Sequence, residues 1–128
     1  MSLETMIAAY IDCALWSSND NSDPETGGEP LDRNYDASDL TPDARATMEA
    51  DCASFYSDPS NAPYLELWDD SQAGHDFWLT RNRHGAGFWD RYFDGGELEA
   101  AGDALTRASK PYGEVDLYVG DDNLIHHS

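Results

Sequence analysis

The chain has 128 residues and a mass of 14.2 kDa. That suits a single domain over residues 1–128, with one core burying roughly two-thirds of the surface of the unfolded chain. Apolar residues make up 40% and aromatics 12%, too many for a wholly disordered chain, and no apolar run approaches the length of a membrane span. Acidic residues number 26 against 7 basic ones, a net charge of −19, which repels nucleic acid and anionic lipid at long range. The acid then serves solubility and salt tolerance, or it serves a basic partner.

The N-terminus, MSLETMIAAYIDCALW, lacks the basic leader of a signal peptide and reads as mature sequence. Leu3, Met6, Ile7, Tyr10, Ile11, Ala14 and Leu15 recur at helical spacing, with Ser2 as N-cap and Trp16 closing the helix. Residues 18–40 form an acidic loop broken by Pro24, Gly27, Gly28 and Pro30. Its acids and the next one, Asp20, Asp23, Glu25, Glu29, Asp32, Asp36, Asp39 and Asp43, fall mostly three or four apart. Extended, they stand roughly 10–13 Å apart, too sparse to imitate a phosphate strand directly. The run from Asp20 to Asp32 fails the calcium-loop pattern: with Asn19 first, Pro24 stands at position 6 in place of the glycine and Pro30 at position 12 in place of the last ligand.

Thr41-Pro42 predicts the start of a second helix, with Ala44, Met48, Cys52 and Phe55 on its apolar face and Ser57-Asp58-Pro59 as its stop. Residues 62–69 predict a short third helix. Cys13 and Cys52 lie within apolar periodicities and read as free buried thiols, a disulfide between packed helices being the alternative. Residues 74–93 then predict an aromatic hairpin. A two-residue loop at Arg83-His84 pairs Leu79 with Phe88, Trp78 with Trp89 and Asp76 with Arg91, three matched cross-strand pairs in one register. Gly95-Gly96 leads into a further helix carrying Leu98, Ala101, Leu105 and Ala108, and Lys110-Pro111 ends it. Residues 112–127 predict a C-terminal hairpin: Val115, Leu117 and Val119 alternate with polar positions, and Gly120 to Asn123 turn the chain back. The expected fold class is α+β, N-terminal helices packed on a small antiparallel sheet, with a hairpin–helix–hairpin C-terminal half.

Charge is unevenly spread. Residues 18–72 hold fourteen acids and two bases, whereas 73–93 hold Asp76 and Asp90 against Arg81, Arg83 and Arg91. The acidic side chains of Asp20, Asp23, Glu25, Glu29, Asp32, Asp36, Asp39, Asp43, Asp69 and Asp70 are the candidate partner-binding surface. The alternative candidate is a ligand site in the 75–91 cluster: His75, Asp76, Arg81, Asn82, His84, Asp90 and Arg91. There a histidine would act as general base with an aspartate orienting it, and an arginine would hold an anion. A related reading stacks a base between Trp78, Trp89 and Tyr92 beside Arg81 and Arg91. Against both, Asp76–Arg91 also reads as a structural ion pair and Asn82 to Gly85 as turn chemistry. No nucleophile accompanies the histidines in a familiar motif. A metal set of His75, His84, His126 and His127 with Asp90 is not assembled by spacing, so neither metal nor other cofactor is expected.

The segments LWSS (15–18), GGEPLD (27–32), AGHDFWLTRN (73–82), HGAGFWDR (84–91) and YGEVDLYVGDD (112–122) resemble a family of small acidic proteins from tailed bacteriophages and prophages. The resemblance covers about residues 7–125. Arg83 and Asn123 depart from it, standing where a small turn residue such as Gly is usual. The family brings no catalytic residues to carry over. The resemblance implies a counter-defence factor in the bacterial host cytoplasm, acting by stoichiometric binding. Its expected partner is a basic host protein with a nucleic-acid-binding surface, such as a CRISPR effector, a restriction enzyme or a repair nuclease. Direct binding of nucleic acid or membrane is not expected. A small-ligand protein or small enzyme, and a virion or assembly protein, stay open as alternatives.

Overall fold

The computed structural model describes residues 2–20, 29–84, 86–92 and 95–128. The architecture is α+β. Helix α1 (Leu3–Ser17) buries Met6, Tyr10, Ile11, Ala14 and Leu15, the stripe its spacing predicts. Ser2 caps it, its hydroxyl accepting from the Thr5 N–H at 3.2 Å. Strand β1 (Asn19–Asp20) pairs antiparallel with β2 (Glu29–Pro30), and two 3₁₀ turns, Leu31–Arg33 and Ala37–Asp39, carry the chain to α2 (Pro42–Ser57). At the head of α2 the Thr41 hydroxyl accepts from the Ala44 N–H at 3.0 Å, with Pro42 at the first turn where its missing N–H costs nothing. Thr41→Ala is therefore expected to lower stability by about 1 kcal/mol, read as a shift in urea midpoint at unchanged slope.

A single turn, α3 (Ala62–Leu65), leads to α4 (Asp70–Arg81), and α5 (Glu97–Ser109) follows. Strands β3 (Leu117–Val119) and β4 (Ile125–His127) pair antiparallel in the predicted C-terminal hairpin, in the register Leu117 with His127 and Val119 with Ile125. Leu40 bridges to Ile125, and the Thr41 N–H donates to the Ile125 carbonyl at 3.0 Å, which ties the start of α2 to the sheet edge.

The predicted 74–93 hairpin does not form. Residues 70–81 are helix α4, and Phe88–Asp90 is a 3₁₀ turn. The C-terminal half is thus helix, turn, helix and hairpin. Asp69 caps α4 by accepting from the Ser71 N–H at 2.9 Å, and Ala73, Gly74, Phe77, Trp78 and Arg81 recur at i, i+1, i+4, i+5 and i+8. Trp78 is buried and bonds the Ser17 hydroxyl, while Trp89 is exposed, so the two do not face each other across a sheet. Asp76 and Arg91 do pair, but between helix and turn.

α1 packs against α4 more extensively than any other two elements meet. Gly74 permits this: a Cβ there would lie 2.1 Å from the Met6 carbonyl oxygen and 2.9 Å from the Tyr10 nitrogen. Rings fill the space around that contact. Phe55 of α2 stacks on Phe77 of α4 at 4.3 Å, Tyr10 meets Trp78 edge to face at 5.4 Å, and Trp68 meets Phe88 at 5.6 Å. Cys13 and Cys52 are free and buried. Burial pushes the Cys13 thiol up to about 12 and the Cys52 thiol higher still, so both are held protonated and unreactive.

Candidate functional site

Asp76 is wholly buried in α4 and accepts from three side chains. The Trp68 indole N–H reaches it at 3.0 Å, the Gln72 amide at 2.9 Å, and the Arg91 guanidinium grips it through Nε at 3.1 Å and a second nitrogen at 2.6 Å. These bonds hold the Arg91 pKa above its ordinary value. The carboxylate joins the α3–α4 connection to the Phe88–Asp90 turn, and its lone pairs are already committed.

Arg81 is 3% exposed. It donates to Asp51 at 2.7 Å, to the Tyr10 hydroxyl at 3.1 Å, and to the carbonyls of Tyr112 and Gly113 at 2.8 and 2.9 Å. Its guanidinium carbon lies 5.6 Å from the Phe77 ring centre and 5.5 Å from that of Tyr112. Burial opposes its charge, but Tyr10 and Asp51 outweigh it, so its pKa is raised. Burial also pushes the Tyr10 hydroxyl well above the ordinary tyrosine range.

Asn82 and Asp90 are also engaged. The Asn82 amide donates to the Trp78 carbonyl at 3.0 Å and accepts from the Val115 N–H at 2.8 Å, while Asp90 accepts from the Gly87 N–H at 2.9 Å. Five of the seven residues expected to form a ligand site in the 75–91 cluster therefore knit helices to turns. Of the stacking set Trp78, Trp89 and Tyr92 beside Arg81 and Arg91, Trp78 and Arg81 lie in the core and cannot face a base, whereas Trp89 and Tyr92 are exposed.

The two histidines differ. The His75 Nδ1 is buried without a hydrogen-bond partner, 3.8 Å from Asp76. It lines a cleft of about 520 Å³ with Trp16, Leu79, His84 and Arg91. His84 is exposed at the end of α4. Ser17 lines the same cleft, its hydroxyl accepting from the Trp78 indole N–H at 2.7 Å. Among the described residues, no group of three or more His, Cys, Asp or Glu gathers as metal ligands. His126 pairs with Asp122 at 3.1 Å, and burial lowers the His127 pKa.

The acidic surface is the second candidate. Asp23 and Glu25 lie outside the described residues, as does the side chain of Asp20. The rest does not run extended as the spacing suggests. Asp36 and Asp39 cap one and the same 3₁₀ turn: Asp36 accepts from the Ser38 N–H at 2.8 Å, and Asp39 accepts from the Asp36 N–H at 2.9 Å. The Ser38 hydroxyl and N–H hold the Asp36 carboxyl below the usual range, so it stays ionised. Glu29 pairs with Arg33 at 3.6 Å, and Asp70 accepts from the Ser2 N–H. The side chains of Asp32 and Asp43 are exposed and make no hydrogen bond or ion pair among the described residues. Sequence spacing identified these acids but not that many of them double as caps. The Asx-type pattern Asp-x-Ser, as at Asp36-Ala37-Ser38, was the signal available.

No helix of the described residues is long and apolar enough to cross a membrane. No family model, no curated protein and no solved structure matches the chain.

Proposed function

We propose that this chain acts by stoichiometric binding, docking its acidic surface onto a basic, nucleic-acid-binding groove of a host protein. In the setting implied by its resemblance to phage proteins, it would be a counter-defence inhibitor. The observation that carries this reading is the built character of the acidic segment: two 3₁₀ turns, Leu31–Arg33 and Ala37–Asp39, shorten the chain locally and carry Asp32, Asp36 and Asp39 in or beside them. Caps fix several of them in place, which reduces the entropy lost on docking. The engagement of Asp76, Arg81, Asn82, Asp90 and Arg91 in intramolecular bonds also favours binding over catalysis.

The test is recovery from host extract on the immobilised chain, followed by titration with the purified partner. A basic protein is expected, with Kd rising at least about tenfold between 50 and 300 mM salt, because most of the attraction is between exposed charges. A partner bound equally well at both salts would overturn the reading, and so would recovery of no basic protein.

A further inference from the structure

Beyond the acidic surface, one face of the molecule has the opposite character. A cleft of about 610 Å³ is lined by Thr80, Arg83, His84, Trp89, Thr106 and Lys110. It holds two of the seven Lys and Arg residues of a chain with 26 acids, and among the described residues no carboxylate lines it, Glu114 standing outside and paired to Arg83. Trp89 is 44% exposed, a large apolar ring lining the cleft. The volume falls within the range of small-molecule sites.

Arg83 supplies an independent pointer. The His84 N–H donates to the Leu79 carbonyl at 3.0 Å and the Arg83 N–H to the Thr80 carbonyl at 3.1 Å. This is a Schellman termination of α4, whose left-handed position ordinarily takes Gly. Arg83 occupies it with φ of 56°. A left-handed L-residue is strained, and the Arg83 side chain recovers little in return: it is 80% exposed, and its ion pair to Glu114, at 3.6 Å, is long and solvent-screened. A guanidinium in so weak a pair, beside a lysine and an exposed indole, can exchange that carboxylate for a bound anion.

We propose that this cleft binds a small phosphorylated ligand with a planar ring, of the nucleoside monophosphate class. The phosphate would take charge-assisted hydrogen bonds from Arg83 and Lys110, with His84 beside it, and the ring would stack on Trp89. The ligand is small because the net charge penalises a long polyanion far more than a single phosphate.

The experiment is calorimetric titration with each of the four ribonucleoside 5′-monophosphates, the bare nucleosides and inorganic phosphate, at about 0.15 M NaCl. At least one monophosphate is expected to bind with Kd below about 1 mM, with its nucleoside and inorganic phosphate each at least about tenfold weaker. Arg83→Gly and Lys110→Ala should each weaken it at least about fivefold. Arg83→Gly should also raise Tm by about 3 °C as the left-handed strain is relieved, so its loss of binding is not a loss of fold. No saturable binding by any monophosphate up to about 10 mM, or binding unchanged in both variants, would overturn the proposal. Neither result bears on the acidic surface, none of whose residues line the cleft.

Discussion

Gly74→Ala is expected to destabilise the protein by about 3 kcal/mol or more, at the severe end of overpacking. Helix propensity alone predicts the reverse, since Ala in a helix interior is favoured over Gly by about 1 kcal/mol. The sign of the change therefore isolates the tertiary term. The added methyl would stand 2.1 Å from a main-chain carbonyl of α1, an atom that cannot swing aside as a flexible side chain would. Relief requires α1 and α4 to separate, and with them the rings of Tyr10, Phe77 and Trp78. A urea midpoint falling toward zero with helical circular dichroism partly kept is the expected result. A midpoint that rises would mean that the two helices do not approach this closely.

Arg81→Met should cost about 3–5 kcal/mol, the range for removing one partner of a buried ion pair. Met matches the volume of the Arg stem, so packing changes little. What is lost is the fork that satisfies Asp51, the Tyr10 hydroxyl and the carbonyls of Tyr112 and Gly113. Those acceptors would remain buried or half-buried without a donor. Arg81→Lys keeps the charge but cannot span four acceptors in one plane, so it should recover only part of the loss. Equal stability of the Met and wild-type proteins would show that the network is not sealed from water.

Most of the fold is legible in the sequence, and the failure at 74–93 has a specific cause. α1 shows one apolar stripe because its other face meets water. α4 is buried from Gly74 nearly all round, with Asp76, Thr80 and Arg81 inside along with the rings. With polar Asp76, Thr80 and Arg81 buried beside the rings, the helical spacing of Ala73, Gly74, Phe77 and Trp78 does not stand out as an apolar face against a polar one. The β-leaning residues Phe77, Trp78, Leu79 and Thr80 then suggest a strand. Asp69 followed by Gln72 three places on is a helix-start signal that the hairpin reading left out. The Asp76–Arg91 pairing was legible because opposite charges in an apolar segment must find each other in almost any fold. Whether Arg81 pointed inward was not, since arginine is rarely buried and its acceptors come from α1, α2 and the Lys110–Tyr112 turn. For the acidic surface, spacing along the chain located the carboxylates but could not show that Asp36 and Asp39 are tied up capping a 3₁₀ turn. The positive φ of Arg83 belongs to the turn that ends α4, a helix end that the hairpin reading did not contain.

The most direct measurement is competition between this chain and duplex DNA for the recovered partner, with the chain neutralised at four exposed carboxylates. Asp32→Asn, Asp36→Asn, Asp43→Asn and Asp69→Asn remove charge, yet Asn caps as well as Asp, so the turns at Asp36 and Asp69 persist. The wild-type chain should displace the DNA stoichiometrically. The fourfold variant, with unchanged circular dichroism, should need at least about a hundredfold higher concentration, some 3 kcal/mol of lost attraction. Displacement by the variant at the wild-type concentration would contradict the claim that negative charge is what this protein presents.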